Sequence, residues 1–199
     1  MKKENINRRS FIRNTTLTAG SFILAGHGAI SGILPAIPAK EKPAAKLKLS
    51  YNSQLKFKIV QFTDIHWKQE VLESKEAAAC MANVLETEKP NLVFYTGDHV
   101  TGEPVSAGID AIFEPVLSRK IPFAVVLGNH DDEYSMTRRE IFDTIRTFPG
   151  NMTDITDGIT GVTNFAIPIY QSSSERIMTV LYGLDRKSTR LNSSHLGIS

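Results

Sequence analysis

Apolar and polar positions follow two rhythms from residue 55 onward. Short runs rich in β-branched and aromatic residues, at 57–62, 91–96 and 123–127, each give way to glycine or polar residues; such runs predict buried strands. Between them, 74–88 is an Ala-rich stretch stopped by Pro90, which predicts a helix. The segment 106–119 sets Ile109, Ile112, Phe113, Val116 and Leu117 at helical spacing, with Pro115 working against it. Thr137-Arg138-Arg139-Glu140 has the spacing of a capping box and opens a helix to about Phe148. Residues 163–170 and 176–182 predict two more strands about a polar turn. Strand–helix–strand order at these spacings argues for an α/β sheet of short, buried, partly parallel strands.

The first three strands finish alike. They run into Asp64-Ile65-His66, Gly97-Asp98-His99 and Gly128-Asn129-His130-Asp131. Binding crevices in open α/β sheets form beyond the carboxyl ends of the strands, so three such ends converge. Carboxylate, imidazole and amide oxygen without thiolate suit hard or borderline divalent metals. A two-metal centre holds its ions roughly 3.5–4 Å apart and admits a bridging carboxylate. Each motif alone is weak, because Asp commonly closes strand ends and Gly-Asp marks many turns. Their ordered succession carries the signal, and the flanking glycines let the backbone turn sharply. Around them, His99 is expected on the surface or behind the ligands. Asp131, Asp132 and Glu133 read as a solvated acidic turn, with Asp131 as a candidate support for a ligand. Trp67 reads equally as an entrance residue or as packing, and Cys80 as a small core residue.

Composition narrows the class. A hydrophobic fraction of 41% and a charged fraction of 22% are those of an ordinary globular protein, and 199 residues allow one domain with a sizeable core. The net charge of +2 is misleading, because residues 1–39 carry +4 and residues 186–199 carry +3. The middle, 40–185, is therefore acidic at −5, which gives no support to a basic nucleic-acid-binding surface. A single cysteine excludes an internal disulfide and a thiolate metal cluster.

The ends read differently from the middle. Basic residues followed by a charge-poor run from 14 to 39 have the layout of a secretory signal. Asn7-Arg8-Arg9-Ser10-Phe11-Ile12-Arg13 resembles a twin-arginine export signal, and glycines with Pro35 make a membrane-spanning anchor the less attractive alternative. The expectation is an exported bacterial protein, periplasmic or cell-envelope associated, that meets the export machinery. Residues 40–54 read as a linker. Asp185 to His195 matches the translation of a common short-read sequencing adapter, so residues 186–199 are expected to be an artefact, Asp185 is open to a native or an adapter origin, and His195 is not offered as a ligand.

The succession of motifs resembles the calcineurin-like metallophosphoesterase superfamily, whose pattern runs Asp-x-His, Gly-Asp, Gly-Asn-His-Asp/Glu, then His and Gly-His-x-His. Lys89-Pro90-Asn91-Leu92-Val93-Phe94-Tyr95-Thr96-Gly97-Asp98 and Ile121-Pro122-Phe123-Ala124-Val125-Val126-Leu127-Gly128-Asn129-His130-Asp131 look closest to its purple acid phosphatase 29-like branch. The resemblance covers 55–185 and implies an α/β sandwich of two packed mixed sheets flanked by helices, read here as the N-terminal part of the domain. It implies two divalent or trivalent ions (iron, manganese or zinc), with Asp64 and His66 on the first, Asp98 bridging and Asn129 on the second. His130 would be the catalytic residue, donating a hydrogen bond or a proton beside the phosphate. The implied activity, in the full-length form, is phosphoester hydrolysis by metal-activated water, on a small-molecule phosphoester or a phosphoprotein. The fragment as given holds about half of the ligands and is expected to bind metal weakly or not at all and to be inactive. The alternatives are a phosphodiesterase or nucleotidase of the same superfamily, or a truncated, non-catalytic fragment that binds metal or phosphate weakly. One departure stands out: true purple acid phosphatases place a tyrosine ligand three residues after the bridging aspartate, where this chain has Thr101. No iron–tyrosinate colour is expected.

Overall fold

The computed structural model describes residues 47–185, so the signal-like segment and the adapter-like tail lie outside the described residues. The elements in chain order are β1 (Leu49–Ser50), β2 (Ile59–Phe62), α1 (Leu72–Glu88), β3 (Leu92–Tyr95), α2 (Val105–Ser118), β4 (Phe123–Val125), α3 (Arg138–Ile145), β5 (Phe165–Tyr170) and β6 (Ile177–Gly183). Among the described residues two three-stranded sheets result, ordered β2-β3-β4 and β1-β5-β6. The first is wholly parallel, with Phe62 beside Tyr95 and Tyr95 beside Val125. The second joins β1 to β5 in parallel and β5 to β6 antiparallel.

The period of two along the strands explains the layering. Val93, Tyr95, Phe123 and Val125 point to one side and join a cluster with Leu85, Ile109, Phe113 and Ile141 from the helices. Leu92, Ala124 and Val126 point to the other side and pack with Leu49, Phe165 and Ile167 of the second sheet. Phe94 and Phe165 stack across that layer with ring centroids 6.0 Å apart. β3 and β4 are thus buried on both faces, which is why they read as continuous apolar runs. The expected mixed α/β sandwich of two sheets flanked by helices is the fold observed.

Several local expectations shift. The segment expected as a linker contributes β1, whose Leu49 is buried in the second cluster; two residues are too short to leave a periodic signature. α2 runs through Pro115. A proline in a helix interior costs about 3 kcal/mol; Pro115 is buried here, as are Ile112, Phe113 and Val116 of the same helix. α3 keeps its capping box, with Thr137 and Glu140 exchanging side-chain and backbone bonds, but ends at Ile145 rather than Phe148. Cys80 is exposed on the outer side of α1, correcting the expectation of a core residue. Trp67 is buried within the helix-side core, which settles its role as packing. Among the described residues, no helix is long and apolar enough to cross a membrane.

Candidate metal centre

Parallel pairing brings the exits of β2, β3 and β4 to the same edge of the first sheet. Beyond the last strand residues, the first two exits go on pairing. Asp64 N–H donates to Gly97 O at 3.0 Å, His66 N–H to Asp98 O at 3.0 Å, and Trp67 N–H to His99 O at 2.8 Å. Thr101 closes the tie, its N–H donating to Trp67 O at 2.9 Å and its hydroxyl to His66 O at 3.1 Å. Asp64, His66 and Asp98 all sit at positive φ, 53°, 48° and 55°. That region costs a side-chain-bearing residue of order 1–3 kcal/mol, and three instances fall together at this edge.

The result is a convergent donor set. One ligand atom each from Asp64, His66 and Asp98 falls within 4.8 Å of the others. Two donors at about 2.2 Å from one ion lie at most about 4.4 Å apart, so the set needs little adjustment to close on a cation. The chemistry fits as well: two carboxylates and an imidazole suit iron, manganese or zinc. Asp98 is buried, whereas the Asp64 and His66 side chains are open to solvent. The Asp64 carboxylate is steadied by the Thr63 hydroxyl at 2.6 Å.

The third exit is bound to the second by carboxylates at both ends. Asp131 accepts the backbone N–H groups of Asp98 (3.0 Å), His99 (2.7 Å) and Gly128 (2.6 Å), and its Oδ2 lies 3.0 Å from His99 Nδ1. Burial raises the Asp131 pKa, but the adjoining His99 charge and the hydrogen bonds from His99 and Gly128 outweigh it, holding the carboxyl well below its usual range. Asp131 is therefore a buried strut, which corrects its reading as a member of a solvated turn and keeps its reading as a support. His99, expected at the surface or behind the ligands, is buried behind them with its ring on Asp131. In return, His130 N–H donates to Asp98 Oδ1 at 3.0 Å.

His130 stands beside the donor set, its ring centroid 5.6 Å from that of His66. Its Nδ1 lies 2.8 Å from Glu133 Oε2, which orients the ring. Asn129, half-buried, occupies the turn between Gly128 and His130 at the same edge. A cleft of about 530 Å³ opens here, lined by His66, Lys68, Thr101, His130, Glu133 and Tyr134 among others. Sequence reasoning named His130 but missed Glu133 as its companion, although the spacing of three residues could have pointed to it. The Thr101 tie carried no sequence signal, because it depends on register across two loops.

The sequence profile described as calcineurin-like phosphoesterase matches residues 57–189. The chain is 31% identical over 178 residues to "Probable inactive purple acid phosphatase 29" of Arabidopsis thaliana, covering 76% of this chain and 45% of that protein. It is 32% identical over 161 residues to "Phosphatase DCR2" of Saccharomyces cerevisiae, covering 69% of this chain and 28% of that protein. A third relative, "Probable inactive purple acid phosphatase 28" of Arabidopsis thaliana, is 29% identical over 117 residues, covering 50% of this chain and 30% of that protein. The chain thus spans less than half the length of these relatives. With two strand exits gathering Asp64, His66 and Asp98 and a profile match across most of the described residues, the chain belongs to the calcineurin-like phosphoesterase family.

Proposed function

We propose that this chain carries the N-terminal half of the active site of an exported phosphatase that uses a two-metal centre to hydrolyse a phosphoester. The observation that carries the reading is the meeting of Asp64, His66 and Asp98 within 4.8 Å beside the His130 ring. Bound metal would supply charge neutralisation at the phosphate and activation of the attacking water. Asp64 and His66 would hold the first ion, Asp98 would serve both, and the Asn129 side-chain oxygen would hold the second. The strained turns and the Asp131 strut set these donors before substrate arrives, so little reorganisation is left for the reaction. His130, oriented by Glu133, donates a proton to the leaving oxygen.

On this reading the remaining ligands of the family pattern, a histidine and Gly-His-x-His, would complete the site in the whole protein. Coverage of 45% and 28% of two relatives supports it. Reading the gene across the Asp185 codon with a long, adapter-free read tests this, and a frame continuing into those ligands is the expected result. The encoded protein should then hydrolyse p-nitrophenyl phosphate, and both a chelator and Asp98→Asn should abolish the activity. Turnover that survives either treatment would sink the metal mechanism. Export is tested by Arg8→Lys with Arg9→Lys, which should retain the protein in the cytoplasm; normal export of that variant removes the twin-arginine reading.

A second reading is a fragment that binds metal or phosphate weakly without turnover. It is favoured by the name of the Arabidopsis relative, "Probable inactive purple acid phosphatase 29". A genuine stop within the adapter-like codons would select it. Preference for bis-p-nitrophenyl phosphate or for a nucleotide over the monoester would select the phosphodiesterase or nucleotidase alternative.

A further inference from the structure

Arg138 and Asp185 stand 47 residues apart and meet behind the third strand exit. Arg138 opens α3, yet its side chain turns back under the turn that bears Asn129 and His130. Its Nη1 donates to Gly128 O at 2.5 Å, and its Nη2 donates to Leu127 O at 3.1 Å and to the Asp185 carboxylate. The guanidinium side chain is only 11% exposed and the Asp185 side chain not at all.

Asp185 is itself built in. Its other oxygen accepts Val162 N–H at 2.9 Å and the Thr163 hydroxyl at 3.3 Å, and its own N–H donates to Asn164 Oδ1 at 3.0 Å. The Thr163 hydroxyl in turn accepts Leu127 N–H at 3.2 Å. Leu127 and Gly128 are therefore held at every backbone polar group: Leu127 by Thr163 and Arg138, Gly128 by Asp131 and Arg138.

We infer that Arg138 and Asp185 are positioning residues that fix the peptide leading into Asn129 and so hold Asn129 and His130 in register with Asp98. The inference rests on the metal-centre reading and deepens it, since it names what sets the third exit from behind. A buried ion pair is weak evidence for stability, because desolvation offsets much of the attraction. The geometry is the better argument. A planar fork can bond two successive carbonyls and a carboxylate at once, which a lysine ammonium on a flexible stem cannot do in the same arrangement. The Gly128 carbonyl belongs to the peptide whose N–H is that of Asn129, so tilting it moves the Asn129 side chain directly.

The test uses isotope-labelled chain and the variants Arg138→Lys, Asp185→Asn and, as a control on the same helix, Thr137→Ala. Two quantities are read: amide hydrogen exchange at Gly128, Asn129 and His130 without metal, and the Mn²⁺ affinity from titration. Arg138→Lys and Asp185→Asn should speed exchange at those three amides. They should also weaken Mn²⁺ binding about 10-fold, the size seen for residues that orient metal ligands. Thr137→Ala should lower the melting temperature while leaving both readings at the wild-type value. Unchanged exchange in both paired variants overturns the inference, as does an equal change in the Thr137→Ala control. Wild-type protein that takes up no Mn²⁺ would instead sink the metal reading, and the exchange rates alone would then decide the positioning claim.

Discussion

Gly97 and Gly128 meet backbone to backbone: a Cβ placed on Gly97 would lie 2.6 Å from both the Cα and the N of Gly128. A Cβ on Gly128 would fall 2.1 Å from Asp98 Oδ1. The glycines of the Gly-Asp and Gly-Asn motifs are thus there for each other and for the carboxylate between them. Gly97 also needs its φ of 107°, a conformation that side chains rarely adopt. Gly128→Ala should displace the Asp98 carboxylate and weaken Mn²⁺ binding at least 10-fold, while Gly97→Ala should destabilise by about 1–3 kcal/mol. Calorimetric titration and thermal unfolding read the two effects. A Gly128→Ala protein with wild-type metal affinity contradicts this contact.

Asp131 gathers three backbone amides and the His99 ring in a buried position. Asp131→Ala leaves those donors without an acceptor, and breaking a buried charged network by removing one member costs about 3–5 kcal/mol. Urea unfolding should show that loss. A loss below about 1 kcal/mol would mean that water replaces the carboxylate and that the strut is dispensable.

Glu103 links two loops at the rim, accepting the Ser135 hydroxyl at 2.8 Å, Ser135 N–H at 2.7 Å and Val105 N–H at 3.2 Å. The Ser135 hydroxyl and amide, with smaller help from Val105, hold its carboxyl below the usual glutamate range. A depressed folded pKa contributes stability above the unfolded value of about 4.3, and that stability is lost as pH falls through the folded value. Glu103→Gln should therefore be less stable than wild type at pH 7, with the gap closing in acid. A gap that is the same at pH 7 and pH 3 contradicts the assignment.

Thr101 takes the position where a tyrosine ligand would give iron its purple colour, and its hydroxyl is already engaged with His66 O. Iron-loaded protein should show no strong visible tyrosinate band. Such a band would move the ligand assignment elsewhere in the chain.

The parallel sheet was legible because β3 and β4, buried on both faces, leave apolar runs, and each of its three strands runs on to a metal-capable residue; β2, expected to be buried like them, is half exposed. β1 escaped, since two residues have no periodicity, and its pairing with β5 spans 120 residues of chain between Leu49 and Ile169. Cys80 was misplaced because α1 is Ala-rich and only weakly sided, so composition could not tell its inner face from its outer one. Asp131 read as one acid in a solvated run, with a supporting role as its other candidate reading. Only the fold reveals that it turns inward while Asp132 and Glu133 point elsewhere. Arg138 and Asp185 had no local signal at all, because their partnership exists only once β6 has returned beside β5.

The central claim is that Asp64, His66 and Asp98 hold a divalent cation, and paramagnetic Mn²⁺ reports this even at weak affinity. In spectra of the amide-labelled chain, substoichiometric Mn²⁺ should first broaden the signals of Ile65, His66, His99 and His130, and Asp98→Asn should abolish that selectivity. Broadening spread evenly over exposed acids such as Glu73, Glu86 and Glu175, or identical in the Asp98→Asn variant, would contradict the metal centre.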